Sequence, residues 1–534
     1  MFHSRYKAQA GPKRRRHVHT ASSESWLIAV LGSALIECFA LLASPPTRHW
    51  FLIPLFFNGV LCGVDVVEWI RRRMNLLDPV GIVGVLAAHW FFLSPILHVA
   101  WDHMMPYSEQ PPDWRPWLGR MAVLNCLGLL IYRRTRIFLL ERWGDSPFHS
   151  TWTVNIKRAY PTLCALLAVA VAVQVAMYSR FGGVAGLAET RMTALLKHTD
   201  DFANSGWFFA VGESAPILMM FTVAVYFRIR KRKPAWPTIV ALILVLFVML
   251  FYFGGLRGSR STVLEALFWG VCVLHLWIRP LPRSAIFAGL AVAVIFMFVY
   301  NTYKHGGTRG VELALDSSVS TDSTSSRSQM EIILLDDLSR EDIQAYEIYR
   351  LSVSDYEYGF GRTYVGAVAS MIPKAFWPNR PDGKNKEGTE ILEGVGTYIP
   401  LVHTSSRVYG LAGEAVLNFG PYAVPLSFAV MAFVVALVRR FLIHLPSFDT
   451  RRLIVPFLLY MCLTAIVGDS DNLMYGLGKE GLVPALAVFL VSDRRRQRGA
   501  VMGRRLAPTV ALLVTPVVRS VASGTPINTA EEIR

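Results

Sequence analysis

Long apolar runs, separated by short polar segments, recur along the chain from residue 26 to residue 492. A helix needs about 20 mostly apolar residues to cross roughly 30 Å of hydrocarbon. Such segments are helical because no water satisfies backbone groups inside a bilayer. The pattern therefore predicts an all-α polytopic membrane protein with about twelve transmembrane helices. These are expected at 26–43, 50–67, 79–100, 119–132, 160–178, 207–227, 238–254, 262–278, 284–302, 422–438, 453–468 and 480–492.

Basic residues are concentrated in short loops on alternate sides of the predicted spans, as in the runs 71–73, 133–136 and 228–233. Cytoplasmic loops of membrane proteins carry such an excess of lysine and arginine. These positive charges face the anionic lipid head groups of the cytoplasmic leaflet. We therefore expect both termini in the cytoplasm. Because the formal net charge of +16 follows the topology, nucleic acid is not an expected partner.

The six cysteines all fall inside predicted spans. This position disfavours a disulfide framework and a zinc site built from paired cysteines. We predict no cofactor and no bound metal.

The longest departure from the apolar pattern follows the ninth predicted span. It divides the chain into a basic cytoplasmic N-terminus (1–25), transmembrane helices 1–9 (26–302), a large external loop domain on the periplasmic side (303–421), transmembrane helices 10–12 (422–492) and a basic cytoplasmic tail (493–534). In the loop domain, residues 331–352 have helical periodicity with an apolar face that includes Ile343 and Tyr346. We expect the acids of this helix to form a solvated face.

Residues 359–420, the polar loop, form the most charged and glycine-rich long segment between two predicted spans. Prolines stiffen this loop, and it carries both cations and carboxylates. Long ordered loops on a rigid scaffold are where function concentrates. The polar loop therefore suggests a site for a polar, anionic head group at the membrane surface.

A second segment, the arginine turn (residues 253–262, FGGLRGSRST), carries Arg257 and Arg260 on the predicted outer side. The positive-inside rule disfavours arginine on that side of a membrane. The planar guanidinium group of arginine, however, is suited to bind phosphate oxygens. The alternative is a solvated turn that contacts lipid phosphates. A further external turn is expected at 468–481, with Asp469 and Lys479, and it lacks the spacing of a calcium loop.

Three segments resemble the Wzy-type polymerases of O-antigen and other oligosaccharide repeat units. They are the arginine-bearing stretch Arg257–Ser261, the stretch Ile372–Pro381 (IPKAFWPNRP) and the stretch Gly410–Gly420 (GLAGEAVLNFG). Lys374 stands where the family pattern has arginine, and Arg380 where it has lysine, so that charge is kept while bidentate geometry differs.

The resemblance implies a polytopic glycosyltransferase of the GT-C type that uses no nucleotide sugar. Such an enzyme takes a glycan linked to undecaprenyl pyrophosphate on the outer face of the cytoplasmic membrane. It transfers the glycan to a hydroxyl of the incoming lipid-linked repeat unit and releases the lipid pyrophosphate. The implied partners are the lipid-linked oligosaccharide, the bilayer and, as a further candidate, a chain-length regulator.

This chemistry needs cations beside the departing pyrophosphate and a base near the acceptor hydroxyl. Glu414 is the first candidate base, with a structural acid at a helix N-terminus as its alternative; His403 and Asp469 follow. Substrate-binding candidates are the cations Arg257, Arg260, Arg407, Lys374 and Arg380 and the sugar-binding side chains Trp377, Tyr409 and Asn418. For Trp377 the alternative is a place in the interfacial aromatic belt.

Two other functions remain open. An O-antigen ligase-like transferase would share the external layout and differ in its acceptor. A lipid-linked oligosaccharide flippase would be a carrier, which is expected to show charged or broken helices near the bilayer midplane and paired repeats. No repeat is evident, and the chain has no motif for nucleotide binding that would drive transport by ATP.

Overall fold

The computed structural model describes residues 21–105, 109–144, 148, 150–187, 190, 206–231, 233–255, 260–297, 329–372, 376–381, 383–399 and 407–496. These residues are mostly helical. Within them, strand β1 (Ser150–Val154) pairs with strand β2 (Ser492–Arg496).

The described part of residues 23–297 forms mainly long helices. They are α1 (Ser23–Ala43), α2 (Leu52–Ile70), α3 (Pro79–Ala100), α4 (Arg115–Trp143), α5 (Ile156–Arg180), α6 (Gly206–Gly212), α7 (Ala215–Arg230), α8 (Trp236–Phe253), α9 (Arg260–Val273, with the π-helical turn Leu274–Ile278) and α10 (Arg283–Met297).

Shorter helices follow, and the last apolar helices come after them. They are α11 (Gln329–Glu331, followed by the π-helical turn Ile332–Asp337), α12 (Glu341–Val353), α13 (Arg362–Ser370), α14 (Asn385–Glu393), α15 (Gly410–Phe419), α16 (Val424–His444), α17 (Val455–Val467) and α18 (Ser470–Leu490). Helix α18 contains a π-helical turn at Leu477–Gly481.

Eight helical segments in the described part of the chain are long and apolar enough to cross a membrane: α1, α2, α3, α5, α6 with α7, α8, α16 and α18. Three predicted spans correspond to shorter apolar helices, α9, α10 and α17. The predicted span at 119–132 lies inside α4, and the several arginines of that helix lower its mean hydropathy. The all-α polytopic class is confirmed, whereas the count of twelve and the external loop domain stay predictions.

Two apolar cores hold the helices together. One is built mainly from α2, α3, α4, α16 and α17, and the other mainly from α5, α7, α8, α9 and α18. Helices α4 and α16 approach closely at Gly128, where an added Cβ would lie 2.4 Å from the Phe428 ring. A side chain at position 128 would therefore push these two helices apart.

Helix α12 corrects one expectation. Its acids Glu341, Asp342 and Glu347 are buried, so the prediction of a solvated acidic face is wrong. The helix is enclosed by α4, α14 and α15, and Asn125 of α4 donates to Glu341 over 3.2 Å. Its acids therefore face protein on more than one side.

The turn expected at 468–481 is also corrected. Helix α18 begins at Ser470, directly after Asp469, and continues to Leu490. Lys479 is therefore a buried residue of a membrane-spanning helix rather than part of a loop.

A bidentate ion pair joins α2 to α4, and it generates a stability prediction. Arg136 Nη1 and Nη2 lie 2.7 Å and 3.1 Å from the two carboxylate oxygens of Asp65, and both side chains are buried. Removing one member of such a pair leaves an uncompensated charge, at a cost of about 3–5 kcal/mol. We expect Asp65→Ala to lower the melting temperature strongly in a thermal-denaturation measurement in detergent.

Arg134→Ala is the matched control, because Arg134 is exposed on the same helix. It should melt as the wild type does. The double variant Asp65→Ala/Arg136→Met should lose less stability than the sum of its single variants, since it removes the buried charges of both Asp65 and Arg136. Arg133, 3.5 Å from Asp65, loses its partner equally in the single and the double variant that lack Asp65. An Asp65→Ala protein as stable as the wild type would contradict this account of the pair.

Candidate functional site

The carboxylate of Glu414 lies where three helices meet. Glu414 is on α15 and is 2% exposed. Its Oε1 accepts hydrogen bonds from Thr363 Oγ1 of α13 (2.7 Å) and from Ser470 Oγ of α18 (2.5 Å). Its Oε2 accepts from the Ser470 backbone N–H over 2.6 Å. Donors from two other helices therefore converge on one buried carboxylate.

Asn418 lies one turn further along α15 and is fully buried. Its Nδ2 donates to Thr363 Oγ1 (2.7 Å), and its Oδ1 accepts from the Gly361 N–H (2.9 Å). The amide thus holds the start of α13, where Gly361 has φ +88° and a residue with a Cβ would be strained. These contacts are structural, and sugar binding by Asn418 stays a prediction.

Asp469 anchors the N-terminus of α15. Its Oδ1 accepts from the backbone N–H groups of Tyr409 (2.9 Å) and Gly410 (2.8 Å). A carboxylate at a helix N-terminus is stabilised by the helix dipole. Its Oδ2 pairs with Lys384 Nζ, which also donates to the Arg407 carbonyl over 2.6 Å. Both members of this ion pair are buried.

These side chains form one polar group, the Glu414 cluster: Glu414, Asn418, Asp469, Ser470, Thr363 and Lys384. Burial raises the pKa of Glu414, and the hydrogen bonds from Ser470 and Thr363 oppose that rise. Burial lowers the pKa of Lys384 to about 8, although Asp471, Glu414 and Glu347 act to raise it. A buried carboxyl with a raised pKa is suited to take up and release a proton.

Glu347 is a neighbour of the cluster that sequence reasoning missed. It is fully buried on α12, and neither carboxylate oxygen has a hydrogen-bond partner within the described residues. Burial raises its pKa well above the ordinary value, Lys384 opposes the rise, and Glu414 adds to it. The protonated, neutral form is therefore favoured. A sequence signal existed, because Glu347 lies four residues after Ile343 and so shares the apolar face of the helix.

A second polar group lies along α18. Lys479 Nζ is 2.7 Å from Glu213 Oε2, 3.7 Å from Glu480 Oε1 and 3.5 Å from Thr262 Oγ1. Gly254 lines the same cavity, whose other walls are largely apolar. We call this the Lys479 cavity. Gly254 and Thr262 flank the undescribed part of the arginine turn, so the cavity adjoins that turn.

Helix α18 connects the two polar groups. Ser470 at its first residue binds Glu414, and Lys479 follows nine positions later, which corresponds to roughly 14 Å along a helix. The stretch Gly410–Gly420 and Thr262, the residue that follows the stretch Arg257–Ser261, thereby contact one helix.

Four of the predicted site residues are not seen in full. Arg257, Lys374 and His403 lie outside the described residues, and Arg260 begins α9 with its side chain outside the description. Their roles stay predictions.

The remaining candidates are placed along the polar loop. Arg380 Nη1 donates to the carbonyls of Ser370 (2.7 Å) and Ile372 (2.5 Å) and so closes the turn after α13. Tyr409 is fully buried, with Lys384 Nζ 5.1 Å from its ring centroid. Arg407 and Trp377 are exposed. Of these four, Arg407 and Trp377 are the exposed ones, with Trp377 40% exposed.

Within the described residues, no three side chains of histidine, cysteine, aspartate or glutamate stand close enough together to hold one metal ion. The expectation of chemistry without metal or cofactor stays a prediction.

Comparison with known proteins adds no relative: no family model, no curated protein and no solved structure matches this chain.

The raised pKa of Glu414 leads to a pH-dependent stability prediction. In the unfolded chain the carboxyl ionises near pH 4.5, whereas the folded protein holds its proton to higher pH. Its contribution to stability is therefore present below pH 4.5 and is lost as pH rises through the folded pKa. We expect the melting temperature of Glu414→Gln, relative to wild type, to increase as pH rises from 4.5 and then to level off.

The measurement is a series of thermal denaturations in one detergent between pH 4.5 and 8. Glu357→Gln serves as the control, because Glu357 is an exposed carboxyl close to α13. Its difference from wild type should stay small over the whole series. Parallel curves for Glu414→Gln and wild type would show that the carboxyl of Glu414 ionises as freely when folded as when unfolded.

Proposed function

We propose that this chain is an oligosaccharide repeat-unit polymerase that works on the outer face of the cytoplasmic membrane. It transfers a glycan from a lipid pyrophosphate to a hydroxyl of an acceptor glycan. The observation that carries the proposal is the buried Glu414 carboxylate, held by hydroxyl and amide donors beside the first residue of a membrane-spanning helix. A proton acceptor beside the end of a helix long enough to span a membrane suits a substrate whose lipid stays in the bilayer.

The proposed step forms one bond and breaks one. The acceptor oxygen attacks the anomeric carbon of the donor glycan, and the bond from that carbon to the pyrophosphate oxygen breaks with its electron pair. The acceptor proton passes to Glu414. Ser470 is half-buried while Glu414 is buried, so the Ser470 hydroxyl, 2.5 Å from Oε1, is suited to relay that proton.

Charge on the leaving pyrophosphate is balanced by cations in this proposal. Arg257 and Arg260 of the arginine turn are the first candidates, followed by Arg407, Lys374 and Arg380 of the polar loop. Gly254 and Thr262 of the arginine turn line the Lys479 cavity, and this position supports a role for that turn. Lys384 is less suited, since Asp469 already neutralises it.

A ligase-like transferase would use the same groups with another acceptor. A lipid-linked oligosaccharide flippase is favoured by a different observation, the Lys479–Glu213 ion pair inside the helix bundle. Ionisable residues within spans often mark transport pathways.

The test uses purified protein in liposomes with lipid pyrophosphate-linked repeat units, and glycan length is read on a gel. We expect wild type to build a ladder of longer lipid-linked glycans. Glu414→Gln should slow extension by about 10²–10⁴-fold, the range for a lost general base. Glu357→Gln should extend at the wild-type rate.

Folding of each variant is checked by size-exclusion elution and melting temperature. Transfer to an added acceptor without a ladder would favour the ligase. Movement of labelled glycan lipid across the liposome without extension would favour the carrier. Full extension by Glu414→Gln would remove Glu414 from the reaction.

A further inference from the structure

Helix α13 turns its small residues inward and its larger apolar side chains outward. Its buried positions include Thr363, whose hydroxyl binds Glu414, and the small residue Ala367. Its outward positions are Val365 and Val368, each 57% exposed, and the following Ile372. Val365 and Val368 are three residues apart, which places them on one side of the helix, and Ile372 lies just beyond its end.

The exposed apolar surface extends beyond α13. The Tyr364 ring stacks on Phe419 with the ring centroids 6.4 Å apart, and Phe419 is itself half exposed. Tyr422 follows, 90% exposed, and then Leu426, 68% exposed on the membrane-spanning helix α16. Helix α13 therefore contacts Phe419, and exposed apolar residues continue along the chain from Phe419 to the start of a helix long enough to span a membrane.

Exposing this apolar surface to water is unfavourable. Apolar area left in water costs about 25 cal/mol per Å², and soluble proteins seldom expose contiguous patches of this kind. A helix with one apolar face lies stably in the plane of a membrane interface. Arg362, at the first position of α13, keeps its charge outward and pairs with Glu387 at 3.2 Å, as a head-group-facing end would.

We propose that the outer face of α13 is buried in the bilayer, with lipid acyl chains as its occupant. The helix then lies in the interface as a wall one helix thick. Lipid contacts Val365 and Val368 on one side, and Glu414 binds Thr363 on the other. The lipid contact itself does not depend on the proposed polymerase activity.

The experiment places a nitroxide spin label on single cysteines of the full chain in liposomes. The native cysteines Cys38, Cys126 and Cys164, which are not fully buried, are first replaced by alanine. Labels at Val368 and Val365 test the face. A label at Leu426 of α16 is the lipid reference, and one at the exposed Lys386 of α14 is the water reference.

Collision rates with oxygen, which concentrates in lipid, and with a water-soluble nickel chelate are then compared. We expect labels at Val368 and Val365 to match Leu426, with frequent oxygen collisions and nickel collisions reduced about tenfold relative to Lys386. Frequent nickel collisions at both positions would show that the face is in water. Rare collisions with both reagents would show that protein, from this chain or a second copy, covers it. Either result would overturn the proposal, and neither bears on glycan extension.

Discussion

Two consecutive residues, Asp469 and Ser470, hold α15 in place. Asp469 accepts from the backbone at the helix start, and Ser470 donates to Glu414 one turn further on. Because α18 begins at the same point, a membrane-spanning helix and the polar loop are fixed to each other by five hydrogen bonds or ion pairs within two residues. The positions of the side chains around Glu414 therefore depend on this junction.

The ionisable side chains around the junction differ in how they are compensated. Asp469 has Lys384, and Glu414 has three donors, whereas Glu347 has no donor among the described residues and favours its neutral form. In a low-dielectric interior each group depends on the others, so that effects of removing them will not add. The cluster therefore behaves as one unit in stability and in proton exchange.

How much the sequence revealed depends on the range of the interaction. Spans could be predicted because lipid imposes one requirement on every residue of a segment, and Glu414, Asn418 and Asp469 could be selected from their local setting. Thr363 and Ser470, 51 and 56 positions from Glu414, could not, because only the fold brings them there. The acids of α12 were misjudged because periodicity shows one buried face and cannot show enclosure on two sides. Lys479 was placed in a loop because glycines and charges near it lower hydropathy within a helix that is nevertheless continuous.

The π-helical turn at Leu477–Gly481 accommodates one residue more per turn than an α-helix does. That extra residue offsets the angular register of α18 by about 100° between its two halves. The first half can face Glu414 while the residues after the turn face another set of helices. Deleting a single residue within this turn would let it become an α-helical turn with both halves still facing their present neighbours, whereas the same deletion elsewhere in α18 would rotate one half of the span by about 100°. The π-helical turn is therefore the position at which this helix best tolerates the loss of a residue.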